Sequence, residues 1–273
     1  MQIGVVLFVT DETIAPAVLG PALEERGFES VFVPEHSHIP ASRESPAPGG
    51  GELPRHFHRT IDVFVTLSVL AATTTDLVLG TGVALPAERD PIHTAKQVAS
   101  LDLVSGGRAL FGVGAGWNRE EARDHGVDPR RRGKVLDEKL AAMRRIWTEE
   151  LAEFHGEYVD FGPMYCWPKP VTSPYPPIAV GGESDAALRR LRDHGDVWLP
   201  DRVDLETFRR VRSWLADEGR PDLPFTVFGA DADTLDPTGL GEVGVDRIAF
   251  WVESGPEPDV LRQLDAIAAR WLD

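Results

Sequence analysis

The chain contains one cysteine, Cys166, so an internal disulfide cannot form. A reducing compartment such as the cytoplasm is compatible with that, and inert packing is the expected role of the thiol. Long apolar runs are also missing: no stretch free of charged residues exceeds 13 residues. A bilayer crossing needs about 20 apolar residues, so no membrane span is expected. The first apolar segment, residues 3–9, has no basic leader before it, and no signal peptide is expected. Positive charge is scarce, with 28 Lys and Arg against 44 Asp and Glu and a formal charge of −16. That balance argues against nucleic acid or an anionic membrane as a partner. Lysine is rare beside arginine, 4 against 24, which reads as coding bias rather than a binding feature. No G-x-S-x-G occurs, so a serine nucleophile on a sharp elbow is excluded. The dinucleotide fingerprint G-x-G-x-x-G is absent too. Gly112 and Gly114 fill two positions and Trp117 falls on the third, while Gly80 and Gly82 lead to Leu85.

What is present is a globular composition, 42% apolar and 26% charged, over 273 residues, a usual length for one α/β barrel. Residues 95–121 set the pattern. Val98, Leu101 and Val104 mark one face of a helix over 95–104. Gly106 and Gly107 stop it. The apolar, uncharged segment 109–113 reads as a strand buried on both faces. Gly114, Ala115 and Gly116 then leave the strand with almost no side chain, which permits close approach to the backbone. Trp117 and Asn118 follow, a flat surface and a hydrogen-bonding amide.

The same alternation runs through the chain. Strands are expected at 3–9, 30–34, 77–83, 109–113, 178–180, 197–199, 225–228 and 247–252. Helices are expected at 16–26, 62–75, 95–104, 137–150, 185–194, 205–218 and 259–272, with Pro21 kinking or delaying the first. Eight strands, each followed by a helix or helix-like link, predict an α/β fold, a (β/α)8 TIM barrel forming one domain over residues 1–273. Residues 157–161 suggest a short excursion outside the barrel, and 236–244 are poorly periodic. The loop 38–59 is rich in Pro and Gly and too long for a plain connector, so a lid or mobile substrate loop is expected.

Several residues carry candidate chemistry. Gly181 and Gly182 precede Ser184 at a helix start, where backbone N–H groups and the helix dipole favour a phosphate; an ordinary N-cap is the plain alternative. Glu35 and His36 leave the second strand. An imidazole there could exchange a proton near neutral pH, or simply pack. Glu35 could fix its tautomer or cap the next element. The pairs His36–His38 and His56–His58 invite a metal site of the amidohydrolase kind. That site needs its pair after strand one and further ligands after strands five, six and eight, where this chain has Gly181–Gly182, Pro200 and Glu253–Ser254. No metal is expected, and His56 and His58 read as solvated loop residues within reach of substrate. Trp117 either fills core or walls a substrate pocket.

Taken together, residues 27–36, 79–83, 96–108, 112–118, 131–133, 155–157 and 176–182 resemble the luciferase-like flavin and deazaflavin oxidoreductases, closest to the branch presumed to use coenzyme F420. The resemblance runs in order to about residue 200 and is thin beyond. It implies a cofactor ring across the C-terminal mouth of the barrel, with Glu35 and His36 beside it. It implies a non-proline cis peptide at Gly82–Val83 against the ring face, contacts from Ala115, Gly116 and Asn118, and a phosphate at Gly181, Gly182 and Ser184. Sugar-phosphate-oxidising relatives carry a glutamate near the place of Trp117, so a sugar phosphate is not expected as substrate. The implied activity is hydride transfer between F420 and a small organic molecule. Two alternatives are an FMN-dependent monooxygenase and a cofactor-free ligand-binding barrel. A homodimer is implied as well. F420 carries an anionic oligoglutamate tail, and Arg43, Arg55, Arg59 and Arg89 are loop residues that could attract it.

Overall fold

A computed structural model describes residues 1–201 and 204–272. Eight parallel strands close into a barrel: β1 (Gln2–Val6), β2 (Ser30–Val33), β3 (Val78–Thr81), β4 (Ala109–Val113), β7 (Ile178–Gly181), β8 (Val197–Leu199), β9 (Phe225–Ala230) and β10 (Val245–Trp251), with β10 pairing back onto β1. Eight helices accompany them, α1 (Pro16–Glu25), α2 (Val63–Thr73), α3 (Pro91–Ser105), α4 (Arg119–Asp124), α5 (Arg132–Thr148), α6 (Asp185–His194), α7 (Leu205–Asp217) and α8 (Glu257–Trp271). The strands are short and apolar because helices cover their outer face and side chains fill the inner one. An outer core, including Leu67, Val98, Leu140 and Ile248, fills the space between strands and helices. An inner cluster of Val6, Phe32, Leu110, Ala179, Val197, Leu199 and Ala249 fills the barrel.

Local chemistry sets the helix ends. Asp62 accepts from Phe64 N and Val65 N to start α2, and Asp90 accepts from His93 N before Pro91 to start α3. Gly106, at φ +71°, closes α3. Three of these readings become specific. Pro21 lies inside α1 without ending it; one lost backbone bond is outweighed where Leu19 and Leu23 bury their side chains. The excursion near 157–161 is an antiparallel hairpin, β5 (Ala152–His155) and β6 (Asp160–Met164). Between β9 and β10 no α-helix occurs among the described residues, and a single 3-10 turn at Gly241–Val243 takes its place. Strand four instead carries two helices, the first of which, α4, the sequence reading missed.

Glycines fix how closely β3, β4 and β7 approach at the mouth. A Cβ on Gly112 would lie 1.9 Å from the Thr81 carbonyl oxygen, and Thr81 Oγ1 donates to Gly112 O at 2.6 Å. Beyond them the peptide Gly82–Val83 is cis, as the resemblance implies. The Val83 side chain is seated against two glycines: a Cβ on Gly114 would come within 2.6 Å of it and one on Gly181 within 3.3 Å. The bare exit of β4 thus makes room first for the protein's own valine. Gly112→Ala is expected to cost about 1–3 kcal/mol or more, since backbone must move. Gly49→Ala, where the added carbon meets nothing within 4 Å, should leave stability unchanged. Denaturant midpoints of the two variants check this; equal midpoints would contradict it.

Candidate functional site

The C-terminal ends of β2 and β4 bring together a histidine, a glutamate and a tryptophan. His36 is 8% exposed, and its Nδ1 lies 2.6 Å from Oε2 of Glu121, which is fully buried. On the other side of the ring, the Trp117 indole N–H donates to His36 Nε2 at 3.2 Å. An indole nitrogen only donates, so Nε2 accepts and the proton of the neutral ring is on Nδ1, pointing at the Glu121 carboxylate. Both Glu121 oxygens are engaged, because Oε1 accepts from Ser37 N at 2.9 Å. Buried carboxylates persist when they are hydrogen-bonded in this way.

Glu121 was not singled out in the sequence. It sits on α4, only six residues long and too short to show periodicity. A faint signal existed: Asn118 stands three residues before it, the spacing of a helix cap. The Asn118 side chain accepts from Glu120 N and Glu121 N at 3.1 and 3.2 Å, so it starts the helix that carries Glu121. Its amide NH2 has no hydrogen-bond partner among the described residues.

Glu35 faces away from His36. It accepts from Leu85 N at 2.7 Å and pairs with Arg89, which also reaches Asp62 at 3.0 Å. The two histidines of the first pair likewise diverge: His36 meets Glu121, whereas His38 Nε2 meets Asp124 at 3.0 Å. They do not share a metal geometry. His56 is not the solvated residue expected. It stacks on Phe8 at 4.7 Å and on Phe57 at 4.9 Å, beside Trp251, and its buried Nε2 has no hydrogen-bond partner. Burial holds its imidazole below the ordinary range, against the pull of Glu253. Phe57 also lies 5.4 Å from His36 and 6.1 Å from Trp117, so His56 belongs to the aromatic group around His36. His58 is exposed and has no contact with that group among the described residues.

Val83, Ala115 and Gly116 line the adjacent strand ends, with Val83 and Ala115 half-buried. Gly182 adopts φ +94° and Ser184 caps α6, accepting from Ala187 N at 3.2 Å. The Ser184 hydroxyl proton and the first N–H groups of α6 remain as donors for an anion. The first turn of α6 carries Asp185 and no basic residue. Three of the four loop arginines are already neutralised: Arg55 by Glu12, Arg59 by Asp11 and Glu12, Arg89 by Glu35 and Asp62. Arg43 is exposed.

The model of the family described as Luciferase-like monooxygenase matches residues 17–230. A relative from Mycobacterium tuberculosis, described only as an uncharacterised protein, is 39% identical over 280 residues, covering 99% of this chain and 98% of the relative. The F420-dependent hydroxymycolic acid dehydrogenase of the same organism is 28% identical over 247 residues, covering 88% of this chain and 60% of that protein. Among solved structures, a monooxygenase from Streptomyces bottropensis superposes with a TM-score of 0.79 at 21% identity, covering 100% of this chain and 99% of the other; it shares the fold.

One further acid stands at the mouth. Glu88 follows the cis peptide by five residues and is pushed up to about 8, first by burial and then by the charges of Glu121 and Glu35, with Lys139 and Arg132 pulling the other way. Its ordinary value is 4.5, so the folded state holds this proton more tightly than the unfolded chain. The carboxyl therefore costs nothing below about pH 4.5 and penalises folding increasingly up to about pH 8. Glu88→Gln removes that penalty. The melting temperature of the variant relative to the parent should rise between pH 5 and pH 8 and level off above. A difference that stays constant with pH would contradict the assignment.

Proposed function

The chain belongs to the luciferase-like monooxygenase family, and from that premise we propose that it is an oxidoreductase that uses coenzyme F420 to move a hydride to or from a small organic substrate. The observation that carries this reading is the His36 imidazole, held between Glu121 and Trp117 at the barrel mouth beside the cis Gly82–Val83 peptide. The F420-dependent relative supports the choice of cofactor over FMN.

The residues present fit the group. The orphaned Nε2 of His56 marks a polar atom built to meet a ligand within an aromatic wall. Val83 supplies an apolar seat, while Ser184 Oγ and the start of α6 offer donors for a phosphate. When bound, the deazaflavin supplies hydride chemistry and reacts poorly with dioxygen. The protein's part is to orient the substrate and handle the accompanying proton. His36 Nε2 carries a lone pair in the tautomer set by Glu121, so it can take a hydroxyl proton once Trp117 gives way, and Glu121 then faces a charged ring. Reversal of the same exchange protonates a carbonyl oxygen. Phe8, Phe57, Trp117 and Trp251 surround the position with aromatic surface, which favours an apolar substrate carrying one oxygen function and limits water.

Titration of the apoprotein with F420 and with FMN, each at low and high salt, tests the reading. F420 is expected to bind more tightly, and its binding to weaken with salt. Tight FMN binding without measurable F420 binding would move the function to a flavin monooxygenase. Binding of neither would favour a cofactor-free barrel.

A further inference from the structure

We propose that a cavity beside the exit of β4 holds several carboxylates of a flexible oligoanion, namely the oligo-γ-glutamate tail of the deazaflavin; this rests on the F420 reading above. The cavity, about 430 Å³, is lined by Arg119, Arg123, Asp128, Pro129, Arg130 and Arg132. Four guanidinium groups thus converge on one place in a chain of formal charge −16. The compensation among them is incomplete. Asp128 pairs with Arg130 at 3.0 Å, which holds its carboxyl down at about 2, and Glu44 pairs with Arg123 at 2.8 Å. Arg132 donates only to neutral carbonyls, Gly116 O at 3.2 Å and Pro129 O, and forms no ion pair among the described residues. Arg119 has no ion-pair partner among the described residues. Helix α5, 17 residues long, starts at this point without a side-chain cap and with no acidic residue in its first turn, so its dipole adds to the attraction.

The location links the cavity to the mouth. Arg132 is tied to Gly116, one of the residues expected to touch the cofactor. Strand β4 lies beside β7, whose end carries Gly181 and Gly182, and neighbouring strands are about 5 Å apart. A chain leaving a phosphate at β7 therefore has one strand to cross before reaching the arginines. Guanidinium forks bind carboxylates in pairs. Four of them spread through one open cavity suit several carboxylates on a flexible chain better than a single compact anion. FMN ends at its phosphate and has nothing to place there.

The test compares the affinity of F420 lacking glutamates with that of F420 carrying several, followed by cofactor fluorescence, in the parent and in an Arg119→Gln/Arg130→Gln double variant. Circular dichroism confirms that the variant is folded. The parent should bind the long-tailed form about tenfold more tightly at low salt, as a few exposed ion pairs would give. The variant should lose most of that advantage while keeping its affinity for the tail-less form. Equal affinities for both forms in the parent, or an advantage that survives in the variant, would overturn the cavity assignment and leave the F420 reading standing. Failure of both forms to bind would overturn both readings.

Discussion

The Glu121 carboxylate is the constraint on which the site depends. It is fully buried and accepts from His36 on one oxygen and from Ser37 N on the other. A carboxylate in that position is costly unless both oxygens are bonded, and breaking such a set by removing one partner costs several kcal/mol. The loop after β2 and the helix after β4 are thereby locked together. Asn118, which starts α4, and Trp117, which closes the far side of the imidazole, take their positions from the same short segment. The arrangement leaves His36 with one nitrogen committed and one available.

The glycine pattern at the mouth has a comparable logic. Val83 occupies space that a side chain on Gly114 would fill and packs closely on Gly181, and Gly112 lets β4 close on Thr81. Glycines that suggested room for a ligand serve the packing of the protein first. The cofactor contacts proposed at Ala115, Gly116 and Ser184 therefore rest on half-buried strand ends and the start of α6.

Much of the fold was legible because its strands are buried on both faces and its helices are long enough for their period to show. Strands 109–113 and 197–199 and helix 185–194 occur at the expected limits. His36 was legible because the end of a barrel strand is where chemistry collects. Glu121 was not, since six residues of helix carry no usable period, and its partner lies 85 residues away. Charge pairing was equally hidden. Arg55, Arg59 and Arg89 looked free in the sequence, but Asp11, Glu12, Glu35 and Asp62 come from distant segments to neutralise them. Arg119 and Arg132, which have no ion pair among the described residues, were not among the arginines singled out for an anion in a chain so rich in arginine.

The central claim is that His36 is held as a neutral ring with its proton on Nδ1, facing Glu121, and a lone pair on Nε2. Nitrogen-15 NMR of the histidine side chains at neutral pH, with His36 assigned by its loss in His36→Asn, reads this directly. The account predicts a protonated-type shift for Nδ1 and an unprotonated-type shift for Nε2, with the pattern lost in Glu121→Gln. A His36 ring protonated on Nε2, or one rapidly exchanging between tautomers in the parent protein, would contradict it.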